Sequence, residues 1–140
     1  MLKTKKLKQK ARKFFKIHKV VKCPAFPKEY VVFNSKGLSH LFYEGGMRAR
    51  PIKEIENRIS LLQRGLKLLK KMPFYQEERT LYYKGIIIHY WSLEGVVDER
   101  RIKVIIRQQG KGKKCFWSVI PSWRKIDGKI VNTRSDLSKQ

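Results

Sequence analysis

Apolar residues recur every three or four positions between residues 52 and 69. The members of this repeat are Ile52, Ile55, Ile59, Leu62, Leu66 and Leu69. Such a repeat lines one face of an α-helix. Pro51 suits the first helical turn, where a missing N–H is no loss, and Pro73 follows the last turn as a stop. The pattern predicts one amphipathic helix whose apolar face the rest of the chain has to cover.

Arg58 lies at the edge of this predicted apolar face, about 40° from Leu62 at about 100° per residue. Gly65 comes seven residues later, almost beneath Arg58, and leaves room for a ligand or another segment. Two interpretations follow for the arginine. Its stem could lie along apolar surface with its head in water, or its guanidinium could clamp a phosphate at the rim of a cleft.

A histidine follows the first predicted strand, YVVFN at residues 30–34, after a turn at 35–37. His40 lies in LSHLFY, which reads as a short helical turn, and Lys36, Arg48 and Arg50 are within ten residues of it. Loops and turns at strand ends often carry chemistry, and an imidazole titrates near neutral pH. His40 is therefore a candidate for proton transfer, with a structural or solvent-facing histidine as the alternative.

The charge balance points to a polyanionic partner. The 140 residues contain 34 Lys and Arg against 11 Asp and Glu, a formal net charge of +23. Such an excess favours nucleic acid, RNA above all. An anionic membrane surface is the alternative, but the one clear helix is needed for the core. No stretch of about 18 apolar residues occurs, so we expect no membrane-spanning segment, and we expect no membrane partner.

The second half of the chain has β character. In RRIKVIIRQQ at residues 100–109, Ile102, Val104 and Ile106 alternate with cations, which predicts a strand with one wet, cationic face. Short turn-like links join the predicted strands, and the economical arrangement is an antiparallel meander. The fold class is therefore α+β, with an N-terminal basic arm and a helix packed on an antiparallel sheet of about four strands.

The chain divides into a basic arm and linker at residues 1–28, a folded domain at 29–125 and a polar tail at 126–140. The arm could be a helix with a weak apolar stripe, or a segment that orders only on a polyanion or an acidic partner. The tail could carry a small hairpin around Asp127 and Gly128. The candidate contacts to nucleic acid are Lys36, Arg48, Arg101, Lys103, Arg107, Lys113, Lys114 and Arg124.

RNA cleavage through the 2′-hydroxyl needs a base, an acid and cations for the crowded phosphorane, but no cofactor. The chain offers a sufficient set in His40, Arg50, Arg58 and a hydroxyl such as Ser118. The carboxylates are scattered, so we expect no metal site. Cys23 and Cys115 lack zinc-ligand spacing and suggest no disulfide framework, so a reducing cytoplasm is the default location.

The order of these features resembles the phage-type members of the barnase, EndoU, colicin and RelE superfamily, the small metal-free ribonuclease toxins. The resemblance covers residues 29–125 and rests on GLSHLFY, the helix pattern RPxxExxxRxxLLxxxxxLL and the closing FWSVIPSWRK. It implies an endoribonuclease of a toxin–antitoxin or mobile-element system that uses His40, Arg58 and Ser118. It also implies an acidic antitoxin or immunity protein as inhibitor. The alternatives are a basic nucleic-acid-binding protein that does not cut, and a protein that binds only an acidic protein partner.

Overall fold

The computed structural model describes residues 2–45, 47–126 and 129–132, with only the backbone described at 123–126 and 129–132. Its helices are α1 (Leu2–Ile17), α2 (Ser35–Phe42), α3 (Ile52–Ser60) and α4 (Leu62–Lys71). No helix in the described part of the chain is both long and apolar enough to cross a bilayer. The turn predicted at residues 35–37 is the first turn of α2, because the Asn34 side chain accepts hydrogen bonds from the backbone N–H groups of Lys36 and Gly37.

A six-stranded sheet forms the centre of the protein. Its strands, in spatial order, are β1 (Val20–Lys22), β2 (Tyr30–Val32), β8 (Lys114–Pro121), β7 (Arg100–Gln109), β6 (Ile86–Val97) and β5 (Glu77–Tyr83). Strands β2 and β8 pair in parallel, and the other neighbours are antiparallel. Two short antiparallel pairs complete the described strands, β3 (Tyr43–Glu44) with β4 (Arg48–Ala49) and β9 (Trp123–Ile126) with β10 (Lys129–Asn132).

The helices pack on one face of this sheet. Ile102, Val104 and Ile106 of β7 are fully buried in the same core as the apolar faces of α3 and α4. A Cβ added at Gly65 would lie 3.3 Å from the Val119 side chain and 3.4 Å from that of Val104. This glycine therefore permits close contact between α4 and the sheet, and of the two occupants expected beneath Arg58, a ligand or another segment, the one observed is another segment.

The α+β class is confirmed, and four details differ from the prediction. The sheet has six strands rather than about four, because the short strands β1 and β2 extend it and β5 begins at Glu77. One of its pairings is parallel. The single predicted helix is two helices separated at Leu61, whose N–H bonds to the Arg58 carbonyl three residues back, in 3₁₀ manner. Ile52, at the start of the repeat, is exposed.

The N-terminal basic segment is a helix that joins the core. Ala11 is fully buried and Phe15 is 4% exposed, with the Phe15 ring set edge-on against Phe33 and Phe116. Of the two interpretations of this arm, the helix with an apolar stripe is the one observed. Strand β1 follows and pairs with β2, so the first 28 residues supply both a helix and a sheet edge. A hairpin does flank residues 127 and 128, which themselves lie outside the described residues.

The predicted wet face of β7 was wrong at Lys103, whose side chain is fully buried. Its Nζ lies 2.9 Å from Glu77 Oε1 and 3.6 Å from Glu94 Oε1, while Arg101 donates to Glu94 Oε2 over 3.2 Å. Strands β5 and β6 thus bring carboxylates to this lysine, and burial of a charge requires such partners. Alternation along one strand could not reveal counter-charges on its neighbours.

Candidate active site

A pocket of about 270 Å³ opens where α2 meets the sheet face formed by β6 and β8. The side chains that line it include Lys36, Ser39, His40, Tyr43, Tyr90 and Trp117. His40 belongs to the last turn of α2, whose residues pack against β8, and Tyr43 follows directly after that helix. The pocket therefore combines an imidazole, two phenols, an indole and an exposed ammonium group.

His40 is held against Trp117 and is only 7% exposed. The two rings stack with centroids 4.0 Å apart and an angle of 19° between their planes. Trp117 occupies the irregular position in the β7–β8 pairing, where Ile105 pairs with Ser118 and Ile106 with Phe116. A bulge of this kind re-aims side chains. The indole is thereby available as a platform for the histidine.

Arg50 ties the histidine to α3. Its Nε donates to the His40 carbonyl oxygen over 2.9 Å, and its Nη2 lies 3.1 Å from His40 Nε2. Its Nη1 donates to Glu54 Oε1 over 2.8 Å. The side chain of Arg50 is 1% exposed, so the guanidinium lies behind the imidazole and away from water.

Arg58 extends the same network across to the sheet. Its Nη2 donates to Glu54 Oε1 over 3.1 Å, and its Nη1 donates to Ser118 Oγ. Arg58 is 6% exposed and Ser118 is fully buried. The interpretation of Arg58 with its head in water was therefore wrong. His40 and Arg58 belong to one connected cluster, with Arg50 and Glu54 between them.

The potential at the imidazole is strongly positive. Burial, followed by the charges of Arg50, Arg58 and Arg107, lowers the pKa of His40 to about 3. Burial, followed by Arg50, lowers the pKa of Arg58 to about 10, against the opposing effect of Glu54. At neutral pH the histidine is therefore neutral and the arginine is charged. An anion that enters here would meet a field of the right sign.

Two cations stand at the outer side of the pocket. The Arg107 guanidinium lies 4.6 Å from the centre of the Trp117 ring, and its Nε donates to the Tyr90 hydroxyl over 3.2 Å. Lys36 is exposed and donates to Gln109 Oε1 over 3.3 Å. Arg107 and Lys36 thus extend the positive charge from the buried cluster towards solvent.

The remaining predicted cations are scattered. Arg48 is exposed on β4, Lys113 is exposed beside β8, and Arg101 is partly exposed and paired with Glu94. Lys114 was expected at the surface and is buried instead, bonded to Glu29 and with its Nζ 4.8 Å from the centre of the Trp91 ring. The side chain of Arg124 lies outside the described residues.

The sequence analysis missed two members of the site. Tyr43 lines the pocket, and Lys8 of α1 donates to its hydroxyl over 3.3 Å. Glu54, in the first turn of α3, was not among the candidates, although it bonds both buried arginines. Part of the signal for Glu54 was present, because positions 54 and 58 are four residues apart on the predicted helix and side chains at that spacing meet.

Within the described residues, no three His, Cys, Asp or Glu side chains are grouped so that they could hold a metal ion. Comparison with known proteins adds no assignment. No protein-family model matches the chain. No match was found among curated proteins or among solved structures.

Proposed function

We propose that the protein is a metal-independent endoribonuclease whose pocket binds one phosphodiester of single-stranded RNA beside His40. The observation that carries the proposal is a neutral imidazole at a pocket, with three arginine charges acting on it. A phosphodiester supplies the negative charge that this field favours, and its neighbouring 2′-hydroxyl supplies the proton that a neutral imidazole can accept.

His40 is the proposed base. Its imidazole takes the proton of the 2′-hydroxyl, and the 2′-oxygen attacks phosphorus as the bond to the 5′-oxygen breaks. The products are a 2′,3′-cyclic phosphate and a 5′-hydroxyl. A bound phosphodiester offsets part of the arginine field, which raises the pKa of His40 and makes it a better base in the complex than in the free protein.

Tyr43 is the proposed acid. Its hydroxyl gives its proton to the leaving 5′-oxygen, and the Lys8 ammonium, 3.3 Å from that hydroxyl, stabilises the phenolate that forms. Both His40 and Tyr43 line the pocket. Arg50 touches the imidazole directly, and Arg58 with Ser118 and Glu54 holds Arg50 in place. Arg50 therefore stabilises charge near the reacting atoms, and Arg58 acts as a positioning residue.

The proposal includes the biological setting implied by the family resemblance. A toxin of this charge needs an inhibitor in the cell that makes it, and an acidic antitoxin or immunity protein would complement a surface of net charge +23. A cytoplasmic location is supported by the two cysteines, which are free and buried.

The proposal predicts cleavage of single-stranded RNA by the purified protein in EDTA. Mass spectrometry should find 2′,3′-cyclic phosphate and 5′-hydroxyl ends, and a strand with 2′-deoxy sugars throughout should remain intact. Tyr43→Phe is expected to lower kcat about 100-fold, because general acid catalysis is lost. It should bind the deoxy strand as the natural protein does. Metal-dependent cleavage, or equal cleavage of the deoxy strand, would contradict this mechanism.

A non-catalytic RNA-binding protein is the second candidate. It is favoured by the contact between Arg50 Nη2 and His40 Nε2, which engages the ring nitrogen that a base would need. This candidate predicts binding that weakens steeply with salt and yields no product at any enzyme concentration. The same cleavage assay separates the two.

A further inference from the structure

We propose that one flank of α1 is a track for the RNA backbone that continues directly from the pocket. The track consists of Lys5, Lys8, Arg12 and Lys16, which we call the α1 basic row. The proposal rests on the proposed function for its ligand, single-stranded RNA. It adds a path for nucleotides that lie outside the pocket.

The row is a geometric feature of the helix. At about 100° per residue, its four members fall within an arc of about 80°. From Lys5 to Lys16 the row extends about 16 Å along the helix axis. Lys5, Arg12 and Lys16 are exposed, and within the described residues they form no ion pair. Helix α1 contains no acidic residue that could neutralise them.

Contact with the pocket occurs at Lys8. Its Nζ donates to the Tyr43 hydroxyl over 3.3 Å and lies 5.5 Å from the centre of the Tyr43 ring and 5.8 Å from that of Phe42. Tyr43 in turn lines the pocket that contains His40. A strand whose phosphate lies at His40 can therefore pass over Tyr43 to reach Lys8.

The opposite flank of the same helix has a different environment. Lys3 pairs with Glu56 of α3 over 3.0 Å, and Lys10 and Lys13 border a groove against Ile59 and Gln63. Lys6, Lys10 and Lys13 are exposed and lie about 120° round the helix from the row. They provide a matched set, because they are three cations of the same helix that do not face the pocket.

Cations at spacings of three and four residues recur about every 5–6 Å along one side of a helix. This repeat suits successive phosphates of an extended strand. Because the row contacts phosphates and not bases, it raises affinity for longer strands without adding sequence preference. We expect a trinucleotide to contact the pocket and Lys8 without reaching Lys5, Arg12 or Lys16, so its binding should not depend on these three cations.

The test compares Lys5→Gln/Arg12→Gln/Lys16→Gln with the control Lys6→Gln/Lys10→Gln/Lys13→Gln. The probe is a 2′-O-methyl RNA of about 12 nucleotides, which cannot be cut through the 2′-oxygen. For the row variant we expect Kd to rise about 10- to 100-fold at 0.1 M salt. The slope of log Kd against log salt should fall by about 2, at about 0.7 per lost contact. The control should change Kd less than about 3-fold, and neither variant should affect a trinucleotide by more than about 2-fold.

An equal loss of RNA affinity in the two variants would contradict the proposed track, because affinity would then depend on total charge and not on the position of the cations. An unchanged Kd for RNA in the row variant would also contradict the proposal. This includes a variant that loses binding to an acidic protein and keeps its affinity for RNA. The result is independent of catalysis. If the natural protein cuts no RNA and the row variant alone loses affinity, the proposed ribonuclease activity fails and the track stands. Circular dichroism melting of both variants confirms that each is folded.

Discussion

Arg58→Ala is expected to lose at least about 100-fold in kcat for RNA cleavage. Arg58 does not line the pocket and acts by positioning, so the loss comes through its neighbours, and a misplacement of about 1 Å in a site costs about 100-fold in rate. The truncation takes away the donor to Ser118 Oγ and one of the two arginines that fix Glu54. Since Glu54 in turn holds Arg50 beside His40, the alignment of the imidazole is lost as well.

Two companion variants show whether this loss is specific. Arg58→Lys keeps the charge but cannot reach Ser118 and Glu54 together, so it should restore only a small part of kcat. Arg48→Ala removes an exposed cation and should lower kcat by less than about 3-fold. Arg58→Ala is also expected to lose about 2 kcal/mol of stability, so activity is measured well below its melting temperature. Full activity in folded Arg58→Ala would remove this residue from the site.

Gly37→Ala is expected to lower the free energy of unfolding by about 3 kcal/mol and to abolish cleavage. A Cβ built at Gly37 would lie 1.9 Å from the carbonyl oxygen of Phe116, whereas real Cβ atoms keep at least 3.0 Å. Because the obstacle is backbone, α2 has to move away from β8 by about 1 Å or more. His40 lies one turn further along α2, next to Trp117 of β8, and would move with it.

Gly65→Ala is the matched control, since Gly65 is also a helical glycine facing the sheet. Its added Cβ would meet only valine side chains, at 3.3 Å and 3.4 Å, and alanine gains about 1 kcal/mol over glycine within a helix. Its stability should therefore change by less than about 1 kcal/mol. Chemical denaturation of the two variants measures both values. Similar stabilities for Gly37→Ala and Gly65→Ala would show that α2 is not held against β8 as described.

Local patterns in the sequence predicted much of the fold. The apolar repeat at residues 52–69 marks the helical segment that covers the sheet, and five of its six members are buried. The pattern could not predict that the helix divides at Leu61. The interruption is a single 3₁₀-type hydrogen bond, and the apolar residues after it stay on the buried side, so the repeat continues across it. Strand β2 lies within the predicted strand YVVFN, whereas β1 is only three residues long and carries no clear alternation, so this edge of the sheet escaped prediction.

The sequence predicted which residues belong to the candidate site. It did not predict which of them line the pocket and which are buried behind it. His40, Arg50, Arg58 and Ser118 do meet in one network, yet only His40 of these four lines the pocket. Which cations are buried depends on partners from distant parts of the chain. Glu77 and Glu94 allow Lys103 to be fully buried, and Glu29 does the same for Lys114. A count of charges along one strand does not contain that information.

The most direct test of the account is an NMR titration of the His40 imidazole with and without RNA that cannot be cut. In the free protein its signals should not titrate between pH 4 and 8, because its pKa is about 3. A bound phosphate favours the protonated ring, so saturating 2′-O-methyl RNA should raise that pKa by about one to three pH units and bring the inflection to about pH 4–6. A His40 that titrates near neutral pH in the free protein, or whose titration does not respond to RNA, would contradict a phosphodiester site at this residue.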